Sequence, residues 1–196
     1  MNLLETVDLS KFYPGVKALD GVDFDLRAGE GHILFGENGA GKYTLISLLA
    51  GANTPTRGSI SVNGQPVSLS SVREARRLGI SAVFQEFSLV PTLTVAQNLF
   101  LGDEPSRYGW MDRAAMRSRA RSALADLGFE IDPDVLVARL SRAEQQMVEI
   151  AKSQRGQLSV LILDEPTASL TEKETVRLFE LIERLKASGV GIVYIS

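Results

Sequence analysis

Few stretches constrain a fold as tightly as Ile33-Leu34-Phe35 followed by Gly36-Glu37-Asn38-Gly39-Ala40-Gly41-Lys42. The apolar run reads as a short buried strand ending at a loop. Beyond Lys42, Leu45-Ile46-Ser47-Leu48-Leu49-Ala50 is apolar nearly all round and stops near Gly51, the pattern of a buried helix. Glycines between a strand and a helix let the backbone turn tightly, so that successive N–H groups point inward at an anion. The helix N-terminus adds positive potential there, and Lys42 can reach the outer phosphates of a nucleotide. A glycine-rich turn with a solvated lysine is the plainer alternative. The strand–loop–helix context favours the phosphate reading.

The position after Lys42 departs from that pattern. A Ser or Thr hydroxyl there coordinates magnesium at about 2.0–2.1 Å, but the chain carries Tyr43. A phenol oxygen lies far from where a seryl oxygen would be. Thr44 is rotated by roughly 100° around the helix and cannot simply take over. The expectation is that nucleotide binds while magnesium is held poorly.

A second apolar strand, Val160-Leu161-Ile162-Leu163, ends in Asp164-Glu165. Two acids after a strand also serve as a plain helix N-cap. Paired with the upstream loop, they gain a chemical reading. The first carboxylate holds magnesium, usually through water, and the second polarises an attacking water.

Alternating residues at 3–9 and 22–27 predict half-buried strands, with turns at Pro14-Gly15 and Ala28-Gly29. Residues 58–69 predict a hairpin turning at Asn63-Gly64. Residues 94–155 are helical in pattern and hold most of the arginines. Thr94-x-x-Gln97 and Ser141-x-x-Glu144 look like capping boxes, and Asp112 starts a further helix that stops near Gly128. Residues 158–163 and 190–195 are strands flanking an amphipathic helix opened by Thr171-x-x-Glu174 and closed by Gly189. Strands separated by helices imply a parallel sheet with crossovers.

Composition excludes several classes of function. A net charge of -3 offers no global basic field for nucleic acid or an anionic membrane. The absence of cysteine removes disulfides, thiol catalysis and cysteine-ligated metals. The first residues lack a signal-peptide pattern, and no apolar run approaches the roughly 20 residues that span a bilayer. Any membrane role is therefore expected to come through a partner.

Together these motifs resemble the ATP-binding cassettes of ABC transporters, over nearly the whole chain. The resemblance implies an α/β fold: a P-loop NTPase core with a parallel sheet, an N-terminal antiparallel β subdomain and an inserted helical subdomain of about residues 90–155. It implies a single cassette over 1–196, the first of two in a longer polypeptide and cut short at its C-terminus. Gln85, in Val83-Phe84-Gln85-Glu86, matches the glutamine loop, which touches magnesium or the attacking water in the family. Tyr13 matches the aromatic that stacks on adenine; an ordinary edge-strand aromatic is the alternative. Leu140-Ser141-Arg142-Ala143-Glu144 aligns with the signature segment LSGGQ, with Ala143 for the second glycine and Glu144 for glutamine. In the family this segment contacts the γ-phosphate bound on the opposite subunit, although Ser141 also suits a plain helix cap. Ala168-Ser169-Leu170-Thr171 matches the loop that couples two sites across a dimer.

The roles so implied place ATP on Tyr13 and on Gly36, Glu37, Asn38, Gly39, Ala40, Gly41, Lys42, Tyr43 and Thr44. Asp164 and Gln85 serve magnesium, Glu165 is the general base, and Ser141, Arg142, Ala143 and Glu144 act in trans. Gly15-Val16-Lys17-Ala18-Leu19, Gln85-Glu86-Phe87-Ser88-Leu89-Val90-Pro91, Gln145-Gln146-Met147-Val148-Glu149-Ile150-Ala151 and Pro166-Thr167-Ala168-Ser169-Leu170-Thr171 resemble the bacterial monosaccharide importers of the ribose, xylose and galactose type. That branch implies a second cassette facing head to tail, membrane permease subunits and, indirectly, a periplasmic sugar-binding protein. It implies a peripheral position on the cytoplasmic face of the inner membrane; a net charge of -3 with no basic cluster speaks against nucleic acid as a partner.

The family places a switch histidine just after a segment like Val193-Tyr194-Ile195-Ser196. The only histidine, His32, precedes the phosphate loop and reads as a packed or hydrogen-bonded strand residue. Tyr43, the missing histidine and the altered signature favour a second reading, a cassette that binds nucleotide without turning it over.

Overall fold

The computed structural model describes residues 2–37, 39–154, 156–168 and 170–196, arranged as two compact units. One contains residues up to Phe84 together with 156–166 and 178–196; the other contains 85–154 and 167–177.

The first unit is built on two sheets. β1 (Asn2–Tyr13) and β2 (Val16–Arg27) form an antiparallel hairpin that turns at Pro14-Gly15. β3 (Gly31–Leu34) leads through the glycine loop into α1 (Lys42–Leu49). β4 (Arg57–Val62) pairs with β1 and turns into β5 (Gln65–Val67) at Asn63-Gly64, whose φ angles are +51° and +75°. Such a turn follows the natural twist of paired strands, which is why Asn-Gly marks it in sequence. α2 (Val72–Arg77) and β6 (Ile80–Val83) complete this stretch. The antiparallel sheet runs in the order β2-β1-β4-β5.

The second unit begins with α3 (Val95–Phe100). A small hairpin follows, β7 (Ser106–Arg107) and β8 (Trp110–Met111), then α4 (Arg113–Asp126) and α5 (Arg142–Ser153). The chain then supplies β9 (Val160–Asp164), α6 (Glu172–Ala187) and β10 (Gly191–Ile195). β3, β10, β9 and β6 lie side by side, all parallel.

α1 is buried along its whole apolar run and packs with both sheets. Ile46, Leu48 and Leu49 share a core with Leu4, Leu9 and Leu26 of the antiparallel sheet and with Ile80, Ile162 and Val193 of the parallel one. Each such side chain contributes about 1.5–3 kcal/mol when fully buried, so the helix that closes the phosphate loop is anchored firmly.

Two expectations need correction. β3 is not buried: Ile33 is 71% and Phe35 86% exposed. The sheet order puts β3 at an edge, and its outer side opens on a cavity of about 360 Å³ lined in part by Ile33, Phe35, Phe179 and Tyr194. Residues 94–155 are also not purely helical, because the β7–β8 hairpin interrupts them. α2 and β6 escaped the sequence reading. Ile80-Ser81-Ala82-Val83 after Gly79 is a short apolar run, too brief for periodicity to separate from loop.

Candidate phosphate-binding site

Parallel pairing brings three strand ends level. Ile195 of β10 lies opposite Leu34 of β3 on one side and opposite Asp164 of β9 on the other. The glycine loop and the two acids therefore leave the sheet at the same end, the carboxyl end where open α/β sheets bind ligands. This registry brings together two motifs more than a hundred residues apart in sequence.

The loop closes onto α1 through Gly41, whose φ of +86° belongs to the left-handed region. A Cβ at Gly41 would stand 2.8 Å from the Ala18 carbonyl oxygen of β2, so nothing larger than glycine fits. The first intrahelical bond runs from Leu45 N–H to Gly41 O at 2.9 Å. The N–H groups of Lys42, Tyr43 and Thr44 precede it and have no partner along the helix axis. No side chain caps this end, and its first turn contains no acid. The helix thus offers bare donors and a positive pole to an anion. Lys42 Nζ donates to the Gly36 and Glu37 carbonyls, lying back along the loop that it would leave to reach a phosphate. Gly36, Gly39 and Ala40 sit in this loop, and Ala40 N–H closes a turn onto Glu37 O at 3.1 Å. Asn38 lies outside the described residues.

Asp164 and Glu165 stand at the neighbouring strand end. Burial pushes the Asp164 carboxyl above its ordinary range; the adjacent Glu165 charge adds to this, and the Lys42 ammonium opposes it. Glu165 is held at φ +44°, a conformation that costs a non-glycine residue energy and gathers at functional sites. Its N–H donates to Ile195 O at 3.1 Å, which pins the turn to β10.

Magnesium, which the resemblance implies, meets an incomplete donor set. Tyr43 is 65% exposed, and its ring lies 6.1 Å from the Phe84 ring, tilted by 54°. The short hydroxyl beside Lys42 is absent, so the residues do not fit magnesium as the motif requires.

The remaining expected residues are distributed as follows. Tyr13 ends β1, is partly exposed, and has Lys11 Nζ 5.2 Å from its ring centroid. His32 lies 3.0 Å from a Glu30 oxygen and edge-on to Phe24, a hydrogen-bonded strand residue. Gln85 opens the second unit and is exposed. In that unit Ser141 and Glu144 make both halves of a capping box: Glu144 N–H donates to Ser141 Oγ at 3.2 Å and Ser141 N–H to Glu144 Oε2 at 2.7 Å. Both residues line a cavity of about 330 Å³. Arg142 sits over the Phe87 ring at 4.6 Å, and Ala143 is buried. Ser169 lies outside the described residues, while Thr171 and Glu174 bond reciprocally at the start of α6.

One cluster went unread in the sequence. Glu149, 5% exposed on α5, accepts the Ser88 N–H at 2.5 Å and the Ser88 hydroxyl at 2.9 Å. Lys152 donates to the Ser88 carbonyl at 3.2 Å. With Phe87 against Arg142, these contacts fasten the segment after Gln85 to the helix that starts at Ser141. The signal was available, since a lone acid inside Met147-Val148-Glu149-Ile150-Ala151 is a buried charge that demands partners.

Comparison with known proteins bears on this geometry. A family model described as ABC transporter matches residues 19–168. The ribose import ATP-binding protein RbsA 1 of Rubrobacter xylanophilus is 55% identical over 194 residues, which are 99% of this chain and 39% of that protein. A protein of the same name from Streptomyces avermitilis is 50% identical over 99% of this chain and 37% of its own length. The chain thus spans about two-fifths of the length of these curated relatives. Among solved structures, MJ1267, an ATP-binding cassette of an ABC transporter in its ADP conformation, superposes with a TM-score of 0.85 at 25% identity, over 100% of this chain and 81% of that one. The α/β core with parallel sheet, antiparallel β sheet and helices is that of such cassettes, and the chain belongs to the ABC transporter ATP-binding family.

Proposed function

We propose that this chain is the ATP-binding part of an importer that couples ATP hydrolysis to uptake of a monosaccharide across the bacterial inner membrane. The observation that carries the reading is the uncapped N-terminus of α1 beside Lys42, level with Asp164 and Glu165. The names of the relatives support the sugar, since they include ribose, arabinose and galactose import proteins.

In this reading the β- and γ-phosphates lie on the backbone of the loop and the first turn of α1, with Lys42 between them. Tyr13 offers its ring face to the adenine. Glu165 orients and deprotonates the attacking water, and phosphoryl transfer then depends on positioning and electrostatics. Asp164 and Gln85 are the residues that the family pattern assigns to magnesium; with Tyr43 in place of the short hydroxyl, that set does not fit the ion. Ser141, Arg142, Ala143 and Glu144 meet the phosphate of a second cassette, head to tail. Permease subunits receive the motion through the helical subdomain of about residues 90–155, and a periplasmic protein delivers the sugar. The cassette sits at the cytoplasmic face of the membrane.

In a strain dependent on this gene, Lys42→Ala is expected to abolish ATP-driven monosaccharide uptake; unchanged uptake would contradict the proposal. Tyr43 favours a second reading, binding without turnover. Phosphate release that disappears in Glu165→Gln would remove that alternative, and ATP binding with no release would establish it.

A further inference from the structure

The run 87–90 belongs to no helix or strand, yet each of its residues is held. The Arg142 guanidinium lies 4.6 Å from the Phe87 ring centroid. Glu149 Oε1 accepts both the N–H and the hydroxyl of Ser88. Lys152 Nζ donates to the Ser88 carbonyl and, at 3.0 Å, to its hydroxyl oxygen. Leu89 is buried. Asn98, fully buried on α3, accepts Val90 N–H at 2.7 Å and donates to Val90 O at 3.0 Å. Side chains satisfy this backbone where a strand would use a ladder. Arg142 and Glu149 stand two turns apart on α5, with Lys152 nearly one turn further, so the three share a face.

The fold alone does not call for Glu149. Burying a carboxylate costs more than burying an apolar side chain, unless hydrogen bonds restore what water gave. Here every bond that the structure gives this carboxylate goes to one residue, Ser88. Upstream, β6 ends at Val83, and only Phe84, Gln85 and Glu86 separate it from the held run. Gln85 is three residues from Ser88, so its backbone lies within about 11 Å of that anchor.

We propose that Glu149 is a positioning residue, which fixes Gln85 through Ser88 and so sets the rate of phosphoryl transfer without touching nucleotide. This rests on the nucleotide reading above, with Gln85 directed to the attacking water. A group in that role works only when held within about 0.5 Å by its supporting neighbours. A displacement of about 1 Å costs on the order of 100-fold in rate. The effect falls on turnover rather than on affinity, because α1 and its loop are anchored by a core of their own.

The chain contains no cysteine, so Gln85→Cys provides a single site for a nitroxide label. Its electron paramagnetic resonance spectrum should show a restrained label, and a mobile component once Glu149→Ala is added. Glu149→Gln should regain most of the restraint, since its amide oxygen still accepts the Ser88 N–H. Lys152→Ala, which leaves no buried group unpaired on α5, should give a smaller mobile component. Asp112→Ala removes the cap of α4 in the same unit and should leave the spectrum unchanged, which separates positioning from general weakening. With Gln85 in place, Glu149→Ala should lower phosphate release at saturating ATP by about 10- to 100-fold, with ATP-analogue affinity kept within about threefold. A label indifferent to both Glu149→Ala and Lys152→Ala, or equally loosened by Asp112→Ala, would overturn the proposal. Release that is unchanged in Glu149→Ala would also overturn it. The label reads the loop whether or not ATP is turned over, and ATP-analogue binding reads the phosphate site, so the two readings fail separately.

Discussion

Helix α1 begins at Gly41 with no side-chain cap and no acid in its first turn. Helix α5 begins at Ser141 with a complete capping box and Glu144 in its first turn. Both termini leave N–H donors that need acceptors. At α5 the chain supplies the anion itself, whereas at α1 it leaves the place open. An open N-terminus is a binding site in waiting, and a closed one is part of the fold until a stronger anion displaces its carboxylate. The same contrast extends to the neighbouring lysine: Lys42 rests on loop carbonyls that it can leave, while Lys152 and Glu149 lock Ser88 in place.

The comparison breaks most visibly if ligand binding does not discriminate between the two ends. Lys42→Ala should weaken ATP about 30- to 100-fold, the range of a lost charge-assisted contact to phosphate. Ser141→Ala should leave the affinity of the isolated chain within about threefold. Titration of a fluorescent ATP analogue reads both.

Stability should respond at both ends. Glu149→Ala leaves the Ser88 N–H and hydroxyl without their acceptor and should cost about 1–3 kcal/mol in urea unfolding. Gly41→Ala meets the Ala18 carbonyl at 2.8 Å in a left-handed conformation; about 1–2 kcal/mol is expected from the backbone alone. Ser141→Ala should cost about 1 kcal/mol, the value of a helix cap.

The smallest effect concerns pH. Because the Asp164 carboxyl is raised in the fold above its ordinary 3.8, the native state holds its proton longer than the unfolded chain does. Its contribution therefore favours folding at low pH and declines as pH rises through the interval between the two values. Asp164→Asn should flatten that part of the stability–pH curve and slightly raise Tm at neutral pH.

Much of this was legible in the sequence because it is local. The glycine loop, the Asn63-Gly64 turn and the capping boxes are short-range patterns whose residues specify backbone geometry. Asp164-Glu165 was legible as a strand end, but its alignment with the loop depends on the β10 register, which no local pattern encodes. The exposure of Ile33 and Phe35 was misread, since an apolar strand looks the same at the edge of a sheet as at its centre. The β7–β8 hairpin was missed because two-residue strands carry no period. The Glu149 clamp joins residues 61 apart, and only folding shows which partner a buried acid has found.

In the proposed reading the backbone and Lys42 hold nucleotide, while Tyr43 leaves magnesium without its usual ligand. ATP affinity, measured by calorimetry with magnesium and with chelator, tests it in the native chain and in Tyr43→Ser. The native chain should bind ATP with affinities that agree within about threefold in the two conditions, and Tyr43→Ser should bind about tenfold more tightly when magnesium is present. No ATP binding, or a native affinity that falls as far as that of Tyr43→Ser when magnesium is removed, would contradict it.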